Sequence, residues 1–380
     1  MNFLRFYFYT IVLHLTLAGS SFVQIGDAVS VKLDSSVGFA HTDNLFRDNT
    51  NKQSDDFYTI TPGLKVNYGQ PNAGLDLDIG LSYEIVRYSE FDALDVELLK
   101  YNVNGTMDYL SSFDTNFAFS RAESQSPRST FDVAGNPDLI ETTSSNYSLT
   151  TEYRYSPKFS VGLGLKWNEL DFETFSDEIA GKDSFTIPLD LIYRYSEKLD
   201  IVYGITYISR DVGARTAFNS DGYETESYYY NVGLRGDLLP KLFGKFSVGY
   251  RTLEFSNNNS DRDTLGLNSS LTWVISPKVR SMIGIEKGFD ATGSGDTHEL
   301  TRLNISNSFS LNTEFSAGFD VSYTEKDFRS RTDEMLNLSL TLSYFPSINQ
   351  FFTFGFYDTE NSSVVDYDVK EFRIRADFRY

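Results

Sequence analysis

Apolar residues recur at every second position through most of this chain, and that spacing constrains the fold more than any other feature. In "GLDLDIGLSYEI", Leu75, Leu77, Ile79, Leu81, Tyr83 and Ile85 share one face of an extended segment. Asp76, Asp78, Gly80, Ser82 and Glu84 share the other. Period-two alternation marks a β-strand whose faces meet different surroundings. The last run puts Phe372, Ile374, Ala376, Phe378 and Tyr380 on one side and Arg373, Arg375, Asp377 and Arg379 on the other. About eighteen such runs follow one another from roughly residue 30 onward, so the expected class is all-β and antiparallel.

The connections alternate in length. Short polar turns such as "SPK", "SEK", "LPK" and a second "SPK" close consecutive hairpins, while long polar stretches such as "DVGARTAFNSDGYETE" lie between them. The longest connection is expected to run from Arg121 to Ser145 and to be irregular, because it holds Pro127, Gly135 and Pro137. It either folds inward as a constriction or stays outside as a simple loop. Tyr153, Tyr155, Phe159, Tyr193, Tyr195 and Trp273 crowd beside the short turns.

This pattern predicts a transmembrane up-and-down β-barrel of about 18 strands, with short periplasmic turns and long extracellular loops. Backbone groups in lipid have no water to bond, so such a sheet has to close on itself. The turn-side aromatics then form a girdle, with rings in lipid and polar tips in the headgroup layer. A secreted propeller or sandwich would explain the alternation. It would not explain the pairing of short and long connections or the turn-side aromatics.

Composition agrees. No shift divides the 380 residues into domains, and the chain's modest hydropathy excludes a helical membrane protein while leaving a barrel open. The chain has no cysteine, which excludes disulfide scaffolds, thiolate metal sites and cysteine nucleophiles. A net charge of -20 argues against nucleic acid as a partner. No metal site or cofactor is expected. The acidic loop residues Asp43, Asp48, Asp55, Asp56, Asp261 and Asp263 either keep the exposed surface soluble or hold divalent ions that bridge lipopolysaccharide.

Residues 1–20 read as an export signal. Arg5 precedes an apolar run from Phe6 to Leu17, and Ala18 and Ser20 have the spacing of a cleavage site. The run is too short to span a bilayer, which takes about 20 residues; a short N-terminal anchor is the alternative. A periplasmic segment, 21–30, and the barrel, 31–380, follow. An even strand number places both ends of the barrel in the periplasm, in the outer membrane of a Gram-negative bacterium. Phe378 and Tyr380 close the chain as the signal read by the barrel assembly machinery.

"VGFAHTDNLFR" from Val37 to Arg47, then "SDDFYTITPGLKVNY" from Ser54 to Tyr68, resembles the opening of a β-barrel porin family of Gram-negative outer membranes, often associated with exopolysaccharide systems. The matching residues are Asp43, Asn44, Leu45 and Phe46, then Pro62, Gly63 and Leu64, and "YEIVRYSEFDALD" is similar to the family's third strand and loop. The resemblance implies a barrel in contact with outer-membrane lipid and lipopolysaccharide, with surface polysaccharide and its export components as partners. It brings no catalytic residues.

A barrel of this size leaves an aqueous lumen. Asp76, Asp78, Glu84, Lys166, Asn168, Asp190, Arg194, Arg235, Asp237, Lys245, Arg373, Arg375 and Arg379 are expected to line it. Closure brings the basic last strand near the acidic third, as a ladder of opposite charges or as a transverse field that filters polar solutes. Tyr229 is either wall packing or a stacking step for sugars. The function expected is passage of polar solutes, a surface polysaccharide among them. The rivals are an occluded structural or adhesive barrel acting through its loops, and an enzyme built on His41 or His298, for which no distinctive serine or acid spacing is present.

Overall fold

The computed structural model describes residues 22–380 apart from 70–73, 111, 134, 136–137 and 258–259. The expected export signal lies outside them. The chain is almost entirely β-strand. In order, the strands are β1 (Val23–Ile25), β2 (Val29–Thr42), β3 (Asp55–Thr61), β4 (Gly63–Gly69), β5 (Leu75–Tyr88), β6 (Val96–Leu110), β7 (Phe113–Pro127), β8 (Leu139–Arg154), β9 (Phe159–Phe172) and β10 (Lys182–Arg194). Then come β11 (Leu199–Val212), β12 (Tyr223–Leu239), β13 (Leu242–Phe255), β14 (Arg262–Ser276), β15 (Val279–Ala291), β16 (Thr297–Ser310), β17 (Phe315–Asp327), β18 (Thr332–Ser347), β19 (Gln350–Ser362) and β20 (Tyr367–Arg379).

Apart from β3 and β4, each strand pairs antiparallel with its successor, and β20 pairs with β2, so the sheet closes. β3 and β4 are two halves of one strand. Pro62 has no N–H to give the ladder, but the register against β2 and β5 continues across it. With β1 a short addition, eighteen staves form the barrel.

The seam between β2 and β20 is tied at both ends. At the short-turn end, Leu33 and Tyr380 exchange both backbone hydrogen bonds, at 2.7 and 2.9 Å. β1 then takes the same edge of β2 beyond that point, pairing Val23 with Val31 and Ile25 with Val29. An open strand edge is thereby covered. At the long-loop end, the Asp43 carboxylate accepts the Lys370 N–H at 2.7 Å. Asn44, 1% exposed, donates to the carbonyls of Asp48 and Asp368, both at 2.9 Å, and accepts the Asp48 N–H. The Asp-Asn pair at the end of β2 is thus a staple across the seam.

The recurring Ser-x-Lys turns also have a local cause. The Ser156 hydroxyl accepts the N–H groups of Lys158 and Phe159, and Ser196 does the same for Lys198 and Leu199. A serine at the turn start substitutes for a backbone acceptor, so one solution repeats from hairpin to hairpin.

Apolar residues of one parity face outward and are exposed, among them Leu81, Leu149, Leu163, Leu189, Ile205, Val232 and Leu340. Phe159 opposes Tyr193, and eight residues further along the same pair of strands Trp167 opposes Phe185. At ~3.4 Å per residue and a tilt of roughly 40°, the two aromatic levels stand about 20 Å apart, close to the height of an outer-membrane apolar band. The buried apolar clusters sit at the long-loop end. One joins Val86, Val96 and Leu98, with Phe57 and Tyr88 against them; another joins Val133, Ile140, Phe172 and Ile179.

The structure corrects one expectation. Arg121–Ser145 is mostly hairpin: β7 and β8 stay paired from Phe113–Tyr153 up to Pro127–Leu139. Only residues 128–138 form a loop. The upper hairpin hides from a period-two reading because both its faces are covered: Ile140, Thr142, Thr143 and Ser145 are all buried.

Face assignment makes a paired prediction. Leu340→Arg, which puts a charge on the exposed apolar face, should destabilise the barrel by about 2–4 kcal/mol. Ser339→Arg points the other way, toward Asp320, and should cost far less. Denaturant unfolding from lipid vesicles measures both, and equal losses would overturn the assignment.

Candidate functional site: the inner wall and the mouth

Parity along each strand defines an inner face opposite the apolar one. Most of its charged residues are paired, many within a strand or to the next, while Arg235 on β12 reaches Glu152 on β8 and Lys182 on β10 reaches Asp290 on β15. Glu84 pairs with Lys100 on β6, and Asp78 accepts from Asn67 on β4. Asp76 lies against Gly69. Arg235 bridges Glu152 and Asp200, both at 2.7 Å, while Arg194 stands 3.9 Å from Asp200 and Lys198 3.6 Å from Asp237. Arg373 pairs with Glu371, Arg375 with Asp377 at 2.8 Å, and Arg379 lies 3.8 Å from Asp34. The basic last strand and acidic β5 therefore do not bond to each other; each finds partners on its own or an adjacent strand. Lys166 stands between Ser148 and Thr186, Asn168 between Asn146 and Ser184, Asp190 between Gly162 and Gly204, and Lys245 between Arg235 and Ser270.

Strand glycines gather on this inner face, and larger neighbours lie down over them. Asn102 covers Gly80, Thr341 covers Gly318, and Arg251 covers Gly288. The Tyr229 ring lies across Gly266 with the Arg251 guanidinium 4.6 Å from its centroid. Its hydroxyl is 3.2 Å from the Ser247 hydroxyl. Tyr229 is 5% exposed, so it is wall packing and offers no free face to a sugar. A side chain at Gly266 would collide with this ring. The glycines keep long side chains flat along the wall.

The turn-side aromatics pair across strands. Phe113 and Tyr153 have centroids 4.7 Å apart, and Phe159 and Tyr193 5.2 Å. Tyr155 and Tyr195 are 76% and 67% exposed, and Trp273 is exposed as well. Phe378 is buried beside the seam, and the Tyr380 hydroxyl is 3.3 Å from Gln350 Nε2.

At the long-loop end the interior is crossed. From the connection between β7 and β8, Asp132 reaches β17, half the circumference away. There the Asp132 carboxylate pairs with Lys326 Nζ at 2.5 Å. The Phe131 carbonyl accepts the Gly293 N–H at 3.1 Å, and the Gly293 carbonyl accepts the Ala180 N–H at 2.8 Å, which joins the loops after β7, β9 and β15. Arg128 pairs with Glu178, and Arg215 donates to the carbonyls of Glu178 and Ser294 at 2.7 and 2.8 Å. Burial pushes the Asp132 carboxyl above its ordinary range, and the Lys326 ammonium draws it back only in part. A carboxyl raised in the docked loop takes up protons more readily there than in water. Falling pH therefore favours the docked loop over a released one.

Sequence reasoning missed Arg128, Asp132, Glu178 and Lys326. The one local sign was apolar content in connecting segments, at Phe131, Val133 and Ile179, where solvated loops carry little. The histidines do not meet. His41 faces outward, with Nδ1 2.7 Å from Asp56, and His298 is buried against Phe328. Among the described residues no three acids or histidines are placed to hold a metal ion.

Lys326→Gln would leave the buried Asp132 carboxylate without its cation, at a cost of about 3–5 kcal/mol to docking at neutral pH. Trypsin should then cut after Arg128 in the variant and spare that bond in the parent. Equal protection would mean that the loop is held by its other contacts alone.

The barrel is similar to Acinetobacter baumannii OccAB4, at 11% identity over 94% of this chain and 100% of that one, with a TM-score of 0.47. It is also similar to Pseudomonas aeruginosa OpdQ, at 10% identity over 93% of this chain and 97% of that one, with a TM-score of 0.50. At such identity the likeness concerns the fold. No curated protein matches the sequence. The family described as "Putative beta-barrel porin 2" matches residues 30–380, from the start of β2 through the seam with β20, and the chain belongs to that family of outer-membrane barrels.

Proposed function

We propose that this barrel is a water-filled channel through which small polar solutes cross the outer membrane, narrowed at its extracellular mouth by the loop after β7. The observation that carries the reading is the low inner wall. Tyr229, Arg251, Asn102 and Thr341 lie along the wall over glycines one or two strands away. A barrel meant to be filled would point such side chains inward to pack. The charged inner residues, from Asp76 and Asp78 on β5 to Arg373, Arg375 and Arg379 on β20, then line water. Their pairing, within a strand or to the next for most and across several strands for Arg235 with Glu152 and Lys182 with Asp290, keeps the wall near neutrality.

In this reading Tyr153, Tyr155, Phe159, Tyr193, Tyr195 and Trp273 anchor the periplasmic rim in the headgroup layer. Phe378 and Tyr380 serve barrel assembly after export directed by residues 1–20. Small solutes suit the docked mouth. A polysaccharide chain, the cargo that family resemblance brings to mind, would require the loop to leave β17 first. The contacts from Asp132 to Lys326 and from Phe131 to Gly293 favour a second reading, an occluded barrel that acts through its loops.

Conductance in planar bilayers separates the two. The channel reading expects small, steady single-channel currents that do not rise between pH 7 and pH 5, and a several-fold larger current when residues 129–137 are replaced by a short Gly/Ser linker. Silence from both proteins would establish the occluded barrel.

A further inference from the structure

The short turns after β8, β10, β12 and β14 follow one another around one side of the rim and carry Lys158, Lys198, Lys241 and Lys278, all exposed. We infer that this arc of the periplasmic rim gathers anionic phospholipid from the periplasmic leaflet of the outer membrane, with the ammonium groups on headgroup phosphates. The inference concerns the outside of the barrel and holds whether or not the lumen conducts.

The fold does not ask for these lysines. The N–H groups of Lys158, Lys198 and Lys278 each donate to the hydroxyl of the serine two residues back, at 3.3 Å. That bond uses only the backbone of the lysine. The turns after β16 and β18 repeat it with other residues in the same place. The Asn312 side-chain oxygen accepts the Glu314 N–H at 2.8 Å, and the Ser347 hydroxyl accepts the Asn349 N–H at 3.3 Å. Glutamate and asparagine therefore meet the same local need. Lys241 stands where the backbone is left-handed, φ 69°, and where glycine would fit at less cost. What the four positions share is charge, on a chain whose net charge is -20.

The setting says what that charge meets. An exposed aromatic or aliphatic residue precedes each lysine by two or three positions: Tyr155, Tyr195, Leu239 and Ile275. Such residues sit where acyl chains meet headgroups, so the turn tips lie among phosphates, within reach of a long ammonium side chain. Lys158 and Lys278 have no carboxylate partner among the described residues. Lys241 Nζ donates to the Ile275 carbonyl at 3.2 Å, on the next turn. Lys198 contributes least, because Asp237 stands 3.6 Å away. The opposite ends of the same staves repel such a lipid, since Asp183 lies opposite both Glu169 and Asp211 there. Cations near a bilayer surface attract anionic headgroups over about a Debye length.

The test places the full barrel in phosphatidylcholine vesicles with a trace of spin-labelled phosphatidylglycerol or spin-labelled phosphatidylcholine. Electron spin resonance then gives the preference of the lipid shell for each. Phosphatidylglycerol should be preferred about twofold or more, and salt at about 1 M should remove most of that preference. Lys158→Gln, Lys241→Gln and Lys278→Gln together should abolish it, while arginine at the same three positions should keep it. Glu314→Lys with Asn349→Lys, at the matching turn position on the other side of the rim, should raise it. Heat-modifiable migration on a detergent gel reports whether each variant is folded. No preference in the parent, a preference indifferent to salt, or one unchanged in the folded triple glutamine variant would overturn the inference. If that variant fails to fold, the added lysines decide, and no gain from them overturns it. Conductance fails separately: a silent barrel with a shell rich in phosphatidylglycerol removes the channel and keeps the lipid contact.

Discussion

Every backbone N–H and C=O in the apolar band has to find its partner within the sheet, because the lipid offers none. That single demand accounts for most of this molecule. An open sheet would leave two bare edges, so β2 has to meet β20, and the weakest line of the structure is where the first stave joins the last. The chain spends its most specific local chemistry there. Leu33 and Tyr380 lock one end of the seam, β1 covers the edge of β2 beyond it, and Asp43 and Asn44 fasten the other end to Lys370 and Asp368. The short motif that resembles a family signature is therefore explained by closure.

Charge follows the same partition between lipid, water and wall. The chain is strongly acidic, at -20, yet on the inner face basic and acidic residues stand in near balance and mostly in contact. The excess of acid lies at the long-loop end, where outward positions carry Glu169 and Asp171 on β9, Asp183 on β10, Asp211 on β11, Glu224 and Glu226 on β12 and Glu254 on β13. Several of these sit directly opposite one another in the register, as Asp183 does with both Glu169 and Asp211. Like charges so placed repel, which is tolerable only where water screens them. The acidic positions accordingly begin where the outward aromatic residues Trp167, Phe185, Tyr207 and Tyr228 end.

Much of the fold was legible because a two-faced strand writes its environment into alternate residues. The number of staves and the position of the short turns both follow from that period. The period fails where a segment has no contrast between faces. The upper β7–β8 hairpin is such a place: Thr142 and Thr143 are neighbours on opposite faces, and both are buried. Contacts that span the barrel are invisible for a different reason. Asp132 and Lys326 are 194 residues apart, and nothing local to either names the other. Alternation also says which residues face inward without saying whom they meet. Closure makes β20 and β5 near neighbours, but short side chains reach the adjacent strand before they reach across two.

Glycine placement and loop docking together decide where resistance to flow would lie. Along the middle of the barrel Tyr229 and Arg251 are laid flat over Gly266 and Gly288, so the wall stays low. At the mouth the opposite choice is made: Phe131, Val133 and Ile179 fill the interior, and backbone bonds tie one loop to the next. In the channel reading, a low wall and a docked loop would put most selectivity into the few residues that hold or border that loop. Those residues come from connections, which vary without disturbing closure, while the wall that obeys the lipid stays fixed. In that reading, residues of the connections can be exchanged with the seam and the staves unaltered.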